Sequence, residues 1–277
     1  MNAEQFGALT FWSSFGMQGF TGIKNCRKNW TRCNATIWGL LFFFISNVNA
    51  QEMDPWKLLK AVDDNLWSNT KIISGRLSVD NGRRVRTMAV DTWMEGLENS
   101  YSFYKSPARE KGTQMLKIQK KLWLYTPRTD RKILIAGHLL RQSMMGSDLS
   151  YEDMLEDRKM SLSYDVILEK WEEVDGVRSA VLYLTAKDKE ITYQSRRVWV
   201  EPKEQVVLKE ERYAKSGKLL KRVTFEEYKD YSGRLFPKRM IFRDMLKTDT
   251  KTIYHFDEIQ FDKAIPKKYF RQSILRR

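Results

Sequence analysis

The chain has 277 residues, 42% of them hydrophobic and 30% charged, with a formal net charge of +14. That length provides for one large or two small domains with a sizeable buried core, and the charge by itself points to nucleic acid or an anionic membrane as a partner. Both cysteines, Cys26 and Cys33, lie near the amino terminus, which excludes a fold that depends on disulfides over the rest of the chain.

Residues 1–50 read as an export signal with a long front end. Lys24, Arg27, Lys28 and Arg32 form a positive n-region, Ile37 to Ile45 is a nine-residue apolar core, and Val48-Asn49-Ala50 suits cleavage, so the mature chain begins at Gln51. Nine apolar residues are too few to span a bilayer comfortably, which disfavours a permanent anchor. Cys33 precedes the apolar core and is not placed for acylation, so a soluble exported protein is expected. Discarding this segment removes four basic side chains and one acidic one, leaving a balance of +11. The remaining basic residues are spread along the strands. They suit contact with anionic headgroups or an acidic partner, and equally a solvated outer face. Export removes nucleic acid from consideration.

The mature chain opens with a helix. Asp54 caps it, Pro55 takes the first helical position, and Trp56, Leu59, Val62 and Leu66 make its apolar stripe through about Trp67. From Lys71 to Asp80, Ile73, Gly75, Leu77 and Val79 alternate with polar residues, the pattern of a half-buried antiparallel strand, and Asn81-Gly82 turns it into a second strand over 84–94. A third run spans 99–105, and a polar loop with Pro107 and Gly112 follows. Gln114 to Tyr125 reads as one long strand, with Leu116, Ile118, Leu122 and Leu124 on one face and Trp123 and Tyr125 on the other. Pro127 ends it, and 131–136 is its partner.

The stretch Ser143 to Met154, SMMGSDLSYEDM, breaks the strand rhythm. Ser150 and Asp153 form a capping box, Leu149 and Met154 a hydrophobic staple, so a short helix starts at about Tyr151. Before it, Gly146 permits a tight turn that includes Ser147, and Asp148 suits an Asx-turn. Met144 and Met145 lead into it. Period-two runs then return at 162–170, 177–185, 195–200, 205–213, 219–229, 238–246 and 251–258. About a dozen strands in consecutive hairpins, with a leading helix and a central helical insertion, predict a mainly β fold. It is one strongly curved antiparallel sheet, an incomplete β-barrel, with helices covering its concave side.

Pro107, Lys111-Gly112-Thr113, Leu116, Trp123-Leu124-Tyr125-Thr126-Pro127 and MMGSDLSYEDM, taken in order, resemble the periplasmic outer-membrane lipoprotein-sorting proteins of LolA/LolB-like fold. The resemblance covers most of the chain after residue 50. It implies a single carrier domain over 51–277 in a Gram-negative periplasm, with helices over an apolar cavity. It also implies passage of cargo from an inner-membrane export transporter toward an outer-membrane acceptor. The branch that carries the Met-Gly-Ser-Asp motif is similar to proteins associated with hydrophobe-exporting transporters, so the implied cargo is lipoprotein acyl chains or another hydrophobic lipid.

Catalytic patterns are sparse. His138 and His255 are the only histidines, no cysteine follows residue 50, and neither a nucleophile elbow nor a phosphate-cradling glycine loop is present, so no enzyme, cofactor or metal is expected. Adjacent carboxylates such as Glu210-Glu211 point to opposite faces of a strand. Asp148 is the one carboxylate in a position to attract notice, and a turn role accounts for it. Binding remains. The inward strand face, with Ile73, Leu77, Val79, Leu122 and Leu124, is expected to line a lipid cavity, with Met144 and Met145 at its rim. The same residues would also suit a solid core, and a periplasmic adaptor acting through its basic surface is the alternative.

Overall fold

In this computed structural model, which describes residues 53–156 and 158–275, the first element is helix α1 (Pro55–Leu66). The export signal read at 1–50 lies outside the described residues. Asp54 caps α1 as expected, its carboxylate accepting from the amides of Trp56 (2.9 Å) and Lys57 (3.2 Å). The buried side of α1 runs through Leu58, Leu59 and Val62, whereas Trp56 in the first turn is exposed, so the apolar stripe is rotated from the one read in the sequence.

Thirteen strands follow. They are β1 (Thr70–Asp80), β2 (Val85–Glu95), β3 (Asn99–Tyr104), β4 (Gln114–Ile118), β5 (Lys121–Thr126), β6 (Arg131–Ile135), β7 (Tyr164–Val174), β8 (Val177–Ala186), β9 (Ser195–Glu201), β10 (Val206–Tyr213), β11 (Leu219–Asp230), β12 (Leu235–Asp244) and β13 (Lys251–Phe261). Two short helices, α2 (Tyr151–Leu155) and α3 (Met160–Ser163), join β6 to β7. Every neighbouring pair is antiparallel, in the order β6-β5-β4-β3-β2-β1-β13-β12-β11-β10-β9-β8-β7. The last strand pairs with the first at the centre. The outermost strands, β6 and β7, do not pair with each other, so the sheet is curved but unclosed, as the sequence pattern predicted.

The run Gln114–Tyr125 is a hairpin, not one long strand. Gln119 takes φ 54°, and β4 and β5 pair so that Leu116 lies opposite Trp123 and Met115 opposite Leu124. Cross-strand partners share a face. Leu116 and Trp123 therefore point outward, away from Leu122 and Leu124, which corrects the grouping of all four leucine and isoleucine positions on one side. Likewise, the expected strand start at Leu162 falls within α3, which precedes β7.

The concave face can be followed along the register. One row runs Leu124–Met115–Ser102–Thr92–Ile73, and another runs Leu77–Tyr254–Met240–Phe225. At one end of the hollow, α1 and α3 pack on β7–β11 through Leu59, Val62, Met160, Leu182, Val198 and Val223. At the other, the segment 137–155 packs on β1–β6 through Leu139, Met144, Leu149 and Tyr151. On the convex side, the carboxy-terminal turns Lys267–Phe270 and Gln272–Leu275 cover β3–β5, with Tyr269 stacked on Trp93 (4.5 Å between centroids) and Leu275 buried beside Tyr101, Leu116 and Trp123.

Gly75 sits at a β-bulge between β1 and β13, where a Cβ would stand 2.4 Å from the backbone carbonyl oxygen of His255 and 3.0 Å from the Tyr254 ring. The missing side chain lets the two central strands close and gives Tyr254 its place in the hollow. Gly75→Ala should destabilise the fold by roughly 1–3 kcal/mol, read as a lower urea midpoint at unchanged slope.

Candidate functional site

Between its two packed ends the hollow is only partly filled. A space of about 200 Å³ remains, walled on the sheet side by Ile73, Leu77, Val90, Phe236, Tyr254 and Phe256 and roofed by Met144, Leu149 and Met154. The vacancy has a local cause. On β2 and β3 the inward positions include the small Thr92, Ser100 and Ser102 between Val90, Met94 and Tyr104, while the bulky Tyr101 and Phe103 of β3 point outward under the carboxy-terminal turns. Small hydroxyl residues face large aromatic ones across the hollow. Their polarity is accommodated: Thr92 and Ser102 share a hydrogen bond at 2.9 Å, and the Lys71 ammonium lies 4.1 Å over the Trp67 ring while donating to the Leu66 carbonyl at 3.1 Å.

The roof is clasped at specific points. The Asp148 carboxylate, buried, accepts from Thr250 Oγ1 (2.6 Å), Thr252 Oγ1 (2.8 Å) and the Asp244 amide (3.3 Å), and the Asp148 amide donates to Thr252 Oγ1 (2.8 Å). Lys221 Nζ donates to the Asp148 carbonyl at 2.6 Å and to Asp244 at 2.9 Å. Asp148 thus fixes the turn to the β12–β13 hairpin. Ser147 closes the turn on itself through Leu149, and Arg86 donates to the Met145 carbonyl. The capping box of α2 is present, with Ser150 and Asp153 bonding each other's amides.

Asp153 does more than cap. It accepts from the Tyr193 hydroxyl at 2.6 Å and pairs with Arg212 at 3.4 Å, and Arg212 in turn holds Glu210 at 2.9 and 3.0 Å. Arg196 joins the same carboxylate at 2.8 Å and reaches the Tyr164 hydroxyl at 2.8 Å. This buried network of charges tethers α2 to β9 and β10. Burial pushes the Glu210 carboxyl up, but Arg212 and Arg196 outweigh it and hold the group down at about 2. At the opposite end, Asp63 of α1 accepts from the amides of Met160 (3.0 Å) and Ser161 (2.8 Å) and so caps α3; its burial pushes its pKa up.

Of the residues singled out in the sequence, Ile73, Leu77 and Met144 border the space. Leu122 is buried in the packed core behind it, and Val79, Leu124, Met145 and Gly146 border a second, more open cleft beyond the roof. Ser147 and Asp148 bind the roof and face neither space. The sequence reading missed Ser100 and Ser102, whose alternation with Tyr101 and Phe103 was the available signal, and Phe236, which precedes Pro237 and falls before the expected start of its strand. His255 lies on the outer face, where burial and then Arg76 and Arg239 push its pKa down. Among the described residues no cluster of three or more His, Cys, Asp or Glu side chains is placed to hold a metal ion, and no helix is long and apolar enough to cross a membrane.

A family model described only as "-like: Uncharacterized protein" matches residues 96–277, more than half of the chain, and the chain belongs to that family. No curated protein matches it. Among solved structures, the chain is similar to a DUF1329 family protein from Desulfovibrio piger (24% identity, 81% of this chain and 100% of that one, TM-score 0.72). It is similar also to a putative outer membrane lipoprotein-sorting protein domain from Vibrio parahaemolyticus (22%, 80% and 98%, TM-score 0.70). A LolA superfamily protein from Nitrosomonas europaea aligns comparably (23%, 80% and 99%, TM-score 0.67). The fold is therefore that of the lipoprotein-sorting, LolA-like proteins, which bears out the resemblance read from residues 106–156.

Glu210→Gln strips the buried carboxylate from two guanidiniums and should cost about 3–5 kcal/mol in urea unfolding at neutral pH. Because the folded value lies below the ordinary 4.5, the carboxylate's contribution is complete above about that pH and is lost as pH falls toward 2. Urea midpoints of the wild type should therefore fall across that window, and those of E210Q should be flatter.

Proposed function

We infer that the protein is a periplasmic carrier that shelters the acyl chains of a lipoprotein or another lipid in its hollow and releases them toward the outer membrane without covalent chemistry. The observation that carries this reading is the vacancy itself, left by Thr92, Ser100 and Ser102 in the middle of an otherwise packed concave face. Each methylene of an acyl chain kept from water is worth about 0.8 kcal/mol, so even a partial shelter makes aqueous transit feasible. Ligand pockets usually enclose about 300–1,000 Å³. A space of about 200 Å³ therefore holds part of a chain, and a longer one requires the roof to lift.

The roof and walls suit that motion. Met144 and Met154 above, and Met94 and Met240 on the sheet, are unbranched and adapt to irregular occupants. Lifting the roof would part the Asp148 bonds to the β12–β13 hairpin, the Asp153 pair with Arg212 and the packing of Leu139, Met144, Leu149 and Tyr151. Export by the signal at 1–50 would deliver the chain to the periplasm. There an inner-membrane export transporter is the implied donor and an outer-membrane protein the implied acceptor. An adaptor acting only through its basic surface leaves the vacancy without a role.

Ser100→Phe puts a ring into the space from a position that already faces it. Lipid extracted with the full chain expressed in its own compartment, identified by mass spectrometry, should fall several-fold, while the far-ultraviolet circular dichroism stays that of the wild type. Undiminished lipid recovery from the folded variant would overturn the reading.

A further inference from the structure

The cleft beyond the roof has a different chemistry from the cavity. It encloses about 410 Å³ at one end of the sheet, where three alternate strand connections, β1–β2, β3–β4 and β5–β6, converge. Arg84 comes from the β1–β2 turn and Arg86 from the start of β2, Arg109 from the β3–β4 loop, and Arg128 from the turn after β5. Glu110 is the one carboxylate lining it, and it is engaged by Arg86 at 2.9 Å, with Arg109 at 3.9 Å. Among the described residues Arg84 and Arg128 form no ion pair. Four guanidiniums against one carboxylate give the cleft a positive potential that suits an oxyanion. Guanidinium forks match the oxygens of a phosphate, singly or in pairs.

The floor of this cleft is apolar, made by Val79, Leu124 and Met145. Only a tight turn divides it from the cavity: Met144 faces the cavity, whereas Met145 at φ 51° and Gly146 at φ 76° face the cleft. A molecule lying across that turn would place hydrocarbon on one side and its polar group on the other.

The geometry points to a phosphate-binding site formed by Arg84, Arg86, Arg109 and Arg128, which takes the headgroup of an anionic phospholipid whose acyl chain enters the adjoining cavity. This rests on the carrier reading for the acyl chain, whereas the phosphate site stands on the arginines alone. Arg84 and Arg128 are exposed and take no part in the packing, so they can be changed without disturbing the fold.

The test compares the full chain with the R84Q/R128Q double variant and with R84K/R128K. Each is offered fluorescent-acyl phosphatidylglycerol or phosphatidylcholine in vesicles, and separately inorganic phosphate by calorimetry. The wild type should extract phosphatidylglycerol in preference to phosphatidylcholine. R84Q/R128Q should take up phosphatidylglycerol about tenfold less well, with phosphatidylcholine uptake unchanged, and R84K/R128K, which keeps the charge without the fork, should recover part of the loss. Arginine-dependent binding of inorganic phosphate with no preference between the lipids would keep the phosphate site and assign it to a free anion. Equal uptake of both lipids by all three proteins, with no phosphate bound, would overturn the proposal and leave the carrier reading intact. Uptake of neither lipid with phosphate still bound would instead remove the carrier reading and retain the anion site.

Discussion

The carboxylate of Asp148 holds the architecture of the hollow together. The mid-chain segment has little regular structure of its own: α2 is five residues long, and the rest is turns. A segment that short cannot be stable in isolation and takes its conformation from what it touches. Two threonine hydroxyls and a backbone amide on the β12–β13 hairpin satisfy the buried carboxylate, and Lys221 takes the adjacent carbonyl. Without those partners a buried charge would stand uncompensated, so the turn has one arrangement available to it. Met144, Leu149 and Met154 are placed over the hollow as a result.

The second constraint is one of side-chain size. A sheet of thirteen strands must bury its concave face, and at both ends it does so with large aliphatic residues from α1, α3 and the 137–155 segment. At the centre, β3 inverts the usual assignment over Ser100–Phe103, with Tyr101 and Phe103 outward and Ser100 and Ser102 inward, before Tyr104 turns an aromatic ring back to the inner face. The outward aromatics are kept from water by the carboxy-terminal turns, which makes the far end of the chain a condition for the vacancy in the middle. Cavity and cover are thus linked through the two faces of one strand.

Local signals made much of this legible. Asp54-Pro55 marked α1, Ser150 and Asp153 marked α2, and the period-two runs located most strands, because caps and pleat act within a few residues. The failures arose where tertiary context decides. The β4–β5 turn uses Gln119 and Lys120, which carry no turn signature, and Gln119 is held at positive φ by the pairing on either side. Pro237 hid the first residues of β12 because proline is uncommon within a sheet, and with them Phe236. Arg196, Glu210 and Arg212 read as ordinary surface charges. Only the register, which sets Arg212 opposite Arg196 and Glu210 opposite Val198, brings them together on the inner face. The arginine cleft was likewise invisible, since its members come from three loops that the sheet alone makes neighbours.

One property of the sheet bears on how much it can hold. A closed barrel has a girth fixed by its strand count and shear, so its lumen enlarges only by rupturing ladder hydrogen bonds. Here β6 and β7 end the sheet without joining. In an open sheet a small change of twist at each strand pair would alter the width of the interior while every ladder stays intact. The girth of such a sheet is set by twist along thirteen strands and by the contacts that tie its two flanks together.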